Sequence, residues 1–254
     1  YDEIYFASLA DISTVEDDTI RQADQVLVYV SRMEQIEEAL QAVADGMGGH
    51  KAGDFASRFV VEKLTEYFAK PFPDKDVHSI IREGIRKVNR ELYETANQNE
   101  DLRGTGSTLV LATIRGNVLY VANVGDSRLY LLRDELEQIT RDHSYVEELV
   151  ALGKMKRGSR DYLENKNIIT RAIGADEDVD ADLFALKLKS RDVILMCSDG
   201  LSNMVDEFEM EYIIRAEESI GEKAQGLVDA ANRSGGKDNI SVILVEPQIS
   251  EVSL

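Results

Sequence analysis

The chain has 254 residues, 43% of them hydrophobic, and a formal net charge of −19 from 29 basic and 48 acidic side chains. This length and apolar content suffice for a sizeable core, so we expect one domain over residues 1–254. The charge would repel a phosphate backbone and acidic lipid headgroups, which argues against nucleic acid or a membrane as partner. No apolar run approaches the ~20 residues that cross a bilayer, and the single cysteine, Cys197, cannot form an internal disulfide. We therefore expect a soluble, cytoplasmic monomer.

The first part of the chain alternates short apolar runs with two long amphipathic patterns. Phe55, Phe59, Val60 and Leu64 recur at helical spacing, and prolines end that pattern. The predicted strands are residues 4–10, 25–30 and 39–44, and the predicted helices are 52–68 and 77–96.

The rest of the chain begins with three strands that short turns separate, which we interpret as an antiparallel meander. A basic, irregular excursion at about 153–175 interrupts the later elements. The predicted strands are residues 107–114, 118–124, 129–132, 182–188, 193–197 and 240–245, and the predicted helices are 142–152, 207–216 and 222–233. Strands in local runs with helix pairs between them favour an α+β fold: a four-layer α-β-β-α sandwich, two packed antiparallel sheets flanked by helix pairs.

Acidic residues stand at the ends of apolar runs in four places, each beside a residue that lets the backbone turn. The segments are ADGMGG at 44–49, VGDSR at 124–128, CSDG at 197–200 and KDNIS at 237–241. Oxygen ligands of this kind suit Mg²⁺ or Mn²⁺, and Asp45, Asp199 and Asp238 fit that demand. Two such ions, about 3.5 to 4 Å apart, can activate a bridging water for an in-line attack on a phosphoryl group.

Competing phosphoryl chemistries do not fit the sequence. A cysteine-based phosphatase would need an arginine after five residues, but Asn203 stands at that distance from Cys197. The glycine-rich stretches lack the Gly-Lys-Ser/Thr ending of a nucleotide-binding loop and the dinucleotide glycine spacing. His50, His78 and His143 show no zinc-binding spacing.

Seven motifs in order resemble the metal-dependent protein phosphatases of type 2C, in particular the bacterial-type serine/threonine phosphatases, over nearly the whole chain. They are VADGMGGH at 43–50, GTGST at 104–108, VGDSR at 124–128, DHS at 142–144, ITRAIG at 169–174, SDGL at 198–201 and KDNIS at 237–241. The resemblance implies a β-sandwich with Mg²⁺ or Mn²⁺ at one end, and hydrolysis of phosphoserine and phosphothreonine in signalling proteins.

The resemblance also implies a role for each acid. Asp45 would bridge two ions with the Gly46 carbonyl on one of them, and Asp199 and Asp238 would hold the other. Asp126, together with Asp199, matches the position of a third, weaker ion in bacterial relatives. The basic excursion corresponds to the variable flap of the family, whose charges suit a phosphorylated, locally acidic substrate.

The chain departs from the family in one place. The family opens with an arginine that grips the substrate phosphate, followed by a metal-supporting acidic pair. Here the segment 11–18 reads DISTVEDD, with the acids but without the arginine. Either Glu16-Asp17 or Asp17-Asp18 fills the pair, so Asp17 is the predicted metal residue in both alignments, and Arg21 is a candidate phosphate contact.

Other polar residues are expected to be structural. We expect His143 to cap or pack, His78 to lie on an exposed helix face, Cys197 to be buried in a strand, and Arg128 to pair with a nearby carboxylate. For the whole chain two alternatives to a general phosphatase stay open. One is a metal-binding regulatory module of the same fold with little or no turnover, and the other is a phosphatase dedicated to one partner protein.

Overall fold

The computed structural model describes residues 4–8, 25–30, 40–48, 50–69, 76–247 and 249. In this part of the chain the strands are β1 (Ile4–Ser8), β2 (Gln25–Val30), β3 (Leu40–Met47), β4 (Gly106–Ser107), β5 (Leu109–Arg115), β6 (Val118–Val124), β7 (Arg128–Leu132), β8 (Leu136–Gln138), β9 (Asp182–Lys187), β10 (Val193–Cys197) and β11 (Ser241–Val245). The helices are α1 (His50–Phe68), α2 (Val77–Gln98), α3 (Tyr145–Ala151), α4 (Arg160–Asn165), α5 (Asp199–Ser202), α6 (Glu207–Ile214) and α7 (Ile220–Arg233).

Two antiparallel sheets form the centre of the molecule. One has the strand order β2-β3-β5-β6-β9, with β4 paired to the end of β3, and the other has the order β1-β11-β10-β7-β8. The apolar run of β5 shows why both faces of a strand can be buried. Leu109 and Leu111 pack against helices, whereas Val110 and Ala112 alternate with them and pack between the sheets.

Helices cover the outer face of each sheet. The apolar stripes of α1 and α2 pack on the first sheet through residues such as Leu64 and Ile85. Met210 of α6 and Leu227 of α7 pack on the second sheet. These contacts give the order helix pair, sheet, sheet, helix pair, so the predicted four-layer α+β sandwich is confirmed.

One predicted connection is wrong. The strands at 107–114 and 118–124 pair as β5 and β6, but β7 does not continue the meander. The chain crosses at residues 125–127 to the second sheet, where β7 pairs with β10. Asp126 therefore lies on a bridge between the sheets and not on a hairpin turn.

Two short elements and one side chain also differ from the sequence predictions. The three-residue strand β8 and the four-residue helix α5 are too short to give a periodic signal. His78 is half-buried: its ring lies 5.3 Å from that of Tyr120, and its Nε2 is 3.4 Å from the Phe184 carbonyl oxygen. Within the described residues, none of the helices is both long and apolar enough to span a bilayer.

Candidate active site

Asp45 and Asp199 approach each other from different sheets. Val43 of β3 belongs to the core between the sheets, so Asp45, two residues further on, points to the same face near the strand end. Asp199 begins α5 two residues after β10 ends in the other sheet. The two carboxyl groups lie within hydrogen-bonding reach of each other. The sandwich thus places one acid from each sheet at a common point.

Burial and mutual repulsion make these acids hard to ionise. Burial, followed by the charges of Asp199, Asp238 and Asp126, raises the pKa of Asp45 well above its ordinary value. Burial and the Asp238 charge likewise raise the pKa of Asp199, although Lys166 and Arg128 act in the opposite direction. Carboxylates in this arrangement favour either a shared proton or a nearby cation.

Asp126 joins this group from the crossover between the sheets. Burial, then the charges of Asp199 and Asp142, raise the pKa of Asp126 to about 7. Asp238 lies at the exposed rim, where its carboxylate accepts the backbone N–H of Asn239 at 2.8 Å. All four predicted acids that the structure describes therefore belong to one electrostatic cluster, which we call the acid cluster: Asp45, Asp126, Asp199 and Asp238.

Two close backbone approaches hold the cluster in shape. A Cβ on Gly46 would lie 1.9 Å from the Gly53 carbonyl oxygen, so the end of β3 can meet the start of α1 only without a side chain there. A Cβ on Gly200 would lie 2.0 Å from the carbonyl oxygen of Asn239. This second contact presses the start of α5 against the loop that carries Asp238. Side chains at either glycine would push the acids apart.

Thr108 links β3 to the crossover between the sheets. Its buried hydroxyl accepts the Asp45 N–H at 3.0 Å and lies 2.8 Å from the hydroxyl oxygen of Ser127. The Thr108 N–H also donates to the Asp45 carbonyl oxygen at 2.8 Å. In the sequence this threonine stands out only as part of the run of small residues at 104–108, which does not indicate its role.

The flap, residues 153–175, includes α4, and three of its six basic side chains form ion pairs. Glu147 of α3, which is buried, accepts hydrogen bonds from Arg157 and from the Tyr162 hydroxyl. Arg160 pairs with Glu164 and Arg171 with Asp182. Lys166 is different because it lies near Asp199: burial and the charge of Arg128 lower its pKa and outweigh the charge of Asp199, which acts in the opposite direction. The basic character of this segment did not single out Lys166 in the sequence.

The residues that were expected to be structural have structural partners, although His78 is half-buried and not exposed. Arg128 makes a bidentate pair with Asp142, its closest contact being 2.7 Å, and donates to the Tyr130 hydroxyl at 2.9 Å. His143 is buried and accepts the Gly125 N–H through Nδ1 at 3.2 Å. Burial raises the pKa of the Cys197 thiol to about 12, which removes it as a nucleophile. Glu16, Asp17, Asp18 and Arg21 lie outside the described residues.

The donor atoms suit a hard divalent cation. Asp199 Oδ1 is buried and accepts no hydrogen bond from the described residues, whereas its Oδ2 accepts one from Asn203 at 2.9 Å. Within the same described residues, no three side chains of Asp, Glu, His or Cys lie close enough together to form a complete metal-binding site. The acids interact nonetheless, since a Coulomb interaction reaches further than a metal–oxygen bond. An oxygen-rich group that keeps room for water is what Mg²⁺ and Mn²⁺ prefer.

Known proteins share this architecture. Residues 20–230 match the family model for protein phosphatase 2C. The serine/threonine phosphatase stp of Listeria monocytogenes serovar 1/2a is 41% identical over 213 residues, covering 82% of this chain and 84% of that protein. The solved S. agalactiae serine/threonine phosphatase has a TM-score of 0.87 at 33% identity, covering 98% of this chain and all of that one.

A third match contains metal. The catalytic domain of the serine/threonine protein phosphatase PstP, in complex with two manganese ions, has a TM-score of 0.78 at 29% identity and covers 97% of each chain. The chain belongs to the protein phosphatase 2C family. The predicted family is therefore confirmed, and so is the prediction that the chain is a protein phosphatase.

Proposed function

We propose that the protein hydrolyses phosphoserine and phosphothreonine in other proteins, in a reaction that depends on divalent metal at the acid cluster. One observation carries this proposal. Half-buried acids from two sheets approach each other at the sandwich end, and one buried oxygen of Asp199 accepts no hydrogen bond from the described residues. Acids held in this way require positive charge that the described side chains do not fully supply.

Each residue has a distinct part in this proposal. Asp45 would bind two Mn²⁺ or Mg²⁺ ions with the Gly46 carbonyl on one of them, Asp199 and Asp238 would hold the other, and Asp126 with Asp199 would offer a weaker third position. Asp17 would support the ions from the opening segment. The bound ions would supply a water nucleophile that bridges two of them, and would offset negative charge on the phosphoryl oxygens.

Cationic side chains are the proposed contacts for the substrate phosphate. Lys166 is a candidate from the flap because it is half-buried and lies near enough to Asp199 for the two charges to affect each other's pKa. Arg21 remains a proposed phosphate contact. We also expect the KM for substrate to be raised, because the site lacks the opening arginine. A single phosphatase domain that acts as a monomer in cytoplasmic signalling also stays a prediction from the sequence.

The test is hydrolysis of p-nitrophenyl phosphate and of a phosphothreonine peptide with Mn²⁺, with and without EDTA. We expect EDTA to abolish turnover and Asp199→Asn to lower kcat/KM by roughly a hundredfold or more, because an ion ligand is lost. Asp229→Asn is the matched control, since Asp229 is exposed on α7 and its side chain accepts a hydrogen bond from Gln225 on the same helix. Turnover that is indifferent to EDTA contradicts the proposal. Tight Mn²⁺ binding without turnover on either substrate favours the regulatory module.

A further inference from the structure

Two aromatic side chains on α6 face away from the protein. Phe208 is 84% exposed and Tyr212 is 74% exposed. They are four residues apart and therefore lie on one side of the helix, opposite to the buried Met210 and Ile214. We call the side of α6 that carries Phe208 and Tyr212 the α6 face.

Neither ring is needed for the helix to form. The Asp206 side chain caps α6 by accepting the Glu209 N–H at 2.8 Å, and the buried side chains anchor the helix to the second sheet. Polar residues would occupy the exposed positions without loss of packing. Neighbouring exposed aromatic residues are typical of binding surfaces, where such rings contribute much of the affinity.

The surroundings of the α6 face are acidic. Exposed carboxylates precede, interleave with and follow the aromatic pair: Asp206, Glu207, Glu209, Glu217 and Glu218. The nearby Arg215 is paired with Glu211 at 2.7 Å. A basic partner complements this charge. A second copy of the chain does not, because a symmetric contact would set these carboxylates against themselves.

Helix α6 leads away from the active site along the second sheet. It follows α5, whose first residue is Asp199. Its later residues contact the turn between β7 and β8, at the far end of β7 from Arg128, where Arg215 donates to the Asp134 carbonyl oxygen at 2.8 Å. A chain bound along α6 can therefore extend past Phe208 towards the site.

We propose that the α6 face docks a basic segment of the phosphoprotein substrate, with an apolar side chain of that segment between Phe208 and Tyr212. This inference rests on the proposed function. It gives the substrate two recognition elements, a phosphorylated residue at the acid cluster and a basic, partly apolar segment beside it.

The first experiment measures docking without catalysis. The probe is a fluorescent, unphosphorylated peptide of lysines and leucines, with the leucines on one side of a helix, and binding is followed by anisotropy in EDTA. We expect Phe208→Ala/Tyr212→Ala to weaken binding by about tenfold, although the charge is unchanged. The matched control is Tyr145→Ala/Leu152→Ala, which removes two exposed apolar side chains from another surface and should bind like the wild type. Equal binding by the α6 variant would overturn the proposal, since attraction by net charge alone would then explain it.

The second experiment measures the contribution to turnover. Two phosphothreonine peptides share one phosphorylated core, and only one carries the lysine and leucine segment after a flexible spacer. We expect the wild type to show a KM about tenfold lower for the longer peptide, and Phe208→Ala/Tyr212→Ala to lose that preference. A preference that survives in the variant rules out the α6 face. If the wild type hydrolyses neither peptide, the proposed function fails, and the anisotropy result still decides whether the surface docks a basic segment.

Discussion

Single carboxyl groups set the chemistry of the acid cluster. Asp45 and Asp199 are in contact, and burial raises the pKa of each before the neighbouring charges act. Such a pair opposes folding when both groups are ionised, and it becomes favourable when a cation lies between them. The proposed metal ligands are therefore expected to destabilise the metal-free protein.

The Asp45→Asn variant tests this trade between stability and metal binding. An amide keeps the shape of the side chain and removes the buried charge, so we expect Tm in EDTA to rise by roughly 3–8 °C. Addition of Mn²⁺ should raise the Tm of the wild type and leave that of the variant almost unchanged. Thermal unfolding followed by circular dichroism checks both, with Asp229→Asn as the control. A variant that melts below the wild type in EDTA would show that Asp45 stabilises the fold in another way.

At the scale of elements, one buried carboxylate anchors the first half of the flap, whereas backbone hydrogen bonds such as Thr170 N–H to the His143 carbonyl oxygen hold its second half. Burial alone would raise the pKa of Glu147, but hydrogen bonds from Arg157 and Tyr162 outweigh it and lower the pKa below its ordinary value. Glu147 lies on α3, which follows the Asp142 that pairs with Arg128. The flap and the acid cluster are thus connected through one short helix.

Substitution of Glu147 should loosen the flap. We expect Glu147→Gln to speed hydrogen exchange in residues 153–165 by about tenfold at pH 7, because two hydrogen bonds to a charged acceptor are weakened. A carboxyl group whose pKa is lower in the folded protein than in the unfolded chain stabilises the fold at pH values above the unfolded-state pKa. This stabilisation is lost as the pH falls through the folded-state pKa. The stability difference from wild type in urea should therefore shrink below about pH 4.5.

The neighbouring residue provides the control for this variant. Glu148 is exposed, so Glu148→Gln should leave both exchange and stability close to wild type. Exchange that is unchanged in Glu147→Gln would mean that other contacts hold the flap. A stability difference that grows towards low pH would contradict the direction of the pKa shift.

At the scale of the whole molecule, packing and net charge act against each other. Three apolar cores, one between the sheets and one under each helix pair, stabilise the sandwich. A net charge of −19 on 254 residues opposes the compact state through self-repulsion. The acid cluster adds to this repulsion at one end.

Salt should therefore stabilise the metal-free protein. Between about 20 and 300 mM NaCl the screening length falls by several-fold, which weakens repulsion among the surface acids. We expect Tm in EDTA to rise by a few degrees over this range, measured by differential scanning calorimetry. Repetition with saturating Mn²⁺ should give a smaller rise, because bound cations already offset part of the charge. A Tm that falls with salt would mean that surface ion pairs outweigh the repulsion.

Local pattern predicts some features of this chain better than others. Periodicity indicated β6, β10 and the long helices α1 and α2, because each buries a regular stripe of apolar side chains. It could not distinguish a hairpin at 125–127 from a crossover, since both consist of a strand, a turn and a strand. Lys166 gave no local signal of a role, because a lone lysine acquires one only from its neighbours in space, and the small-residue run at 104–108 did not indicate which contacts Thr108 makes.

The sequence by itself determined the family, the fold class and the candidate acids, because these depend on the order and type of residues along the chain. The tertiary structure decided which acids interact electrostatically and that Asp126 lies on the crossover between the two sheets. It also decided that Lys166 lies near Asp199 and that Phe208 and Tyr212 are exposed. Those facts depend on distances between residues far apart in sequence, and only the packing of the two sheets and their helices fixes such distances.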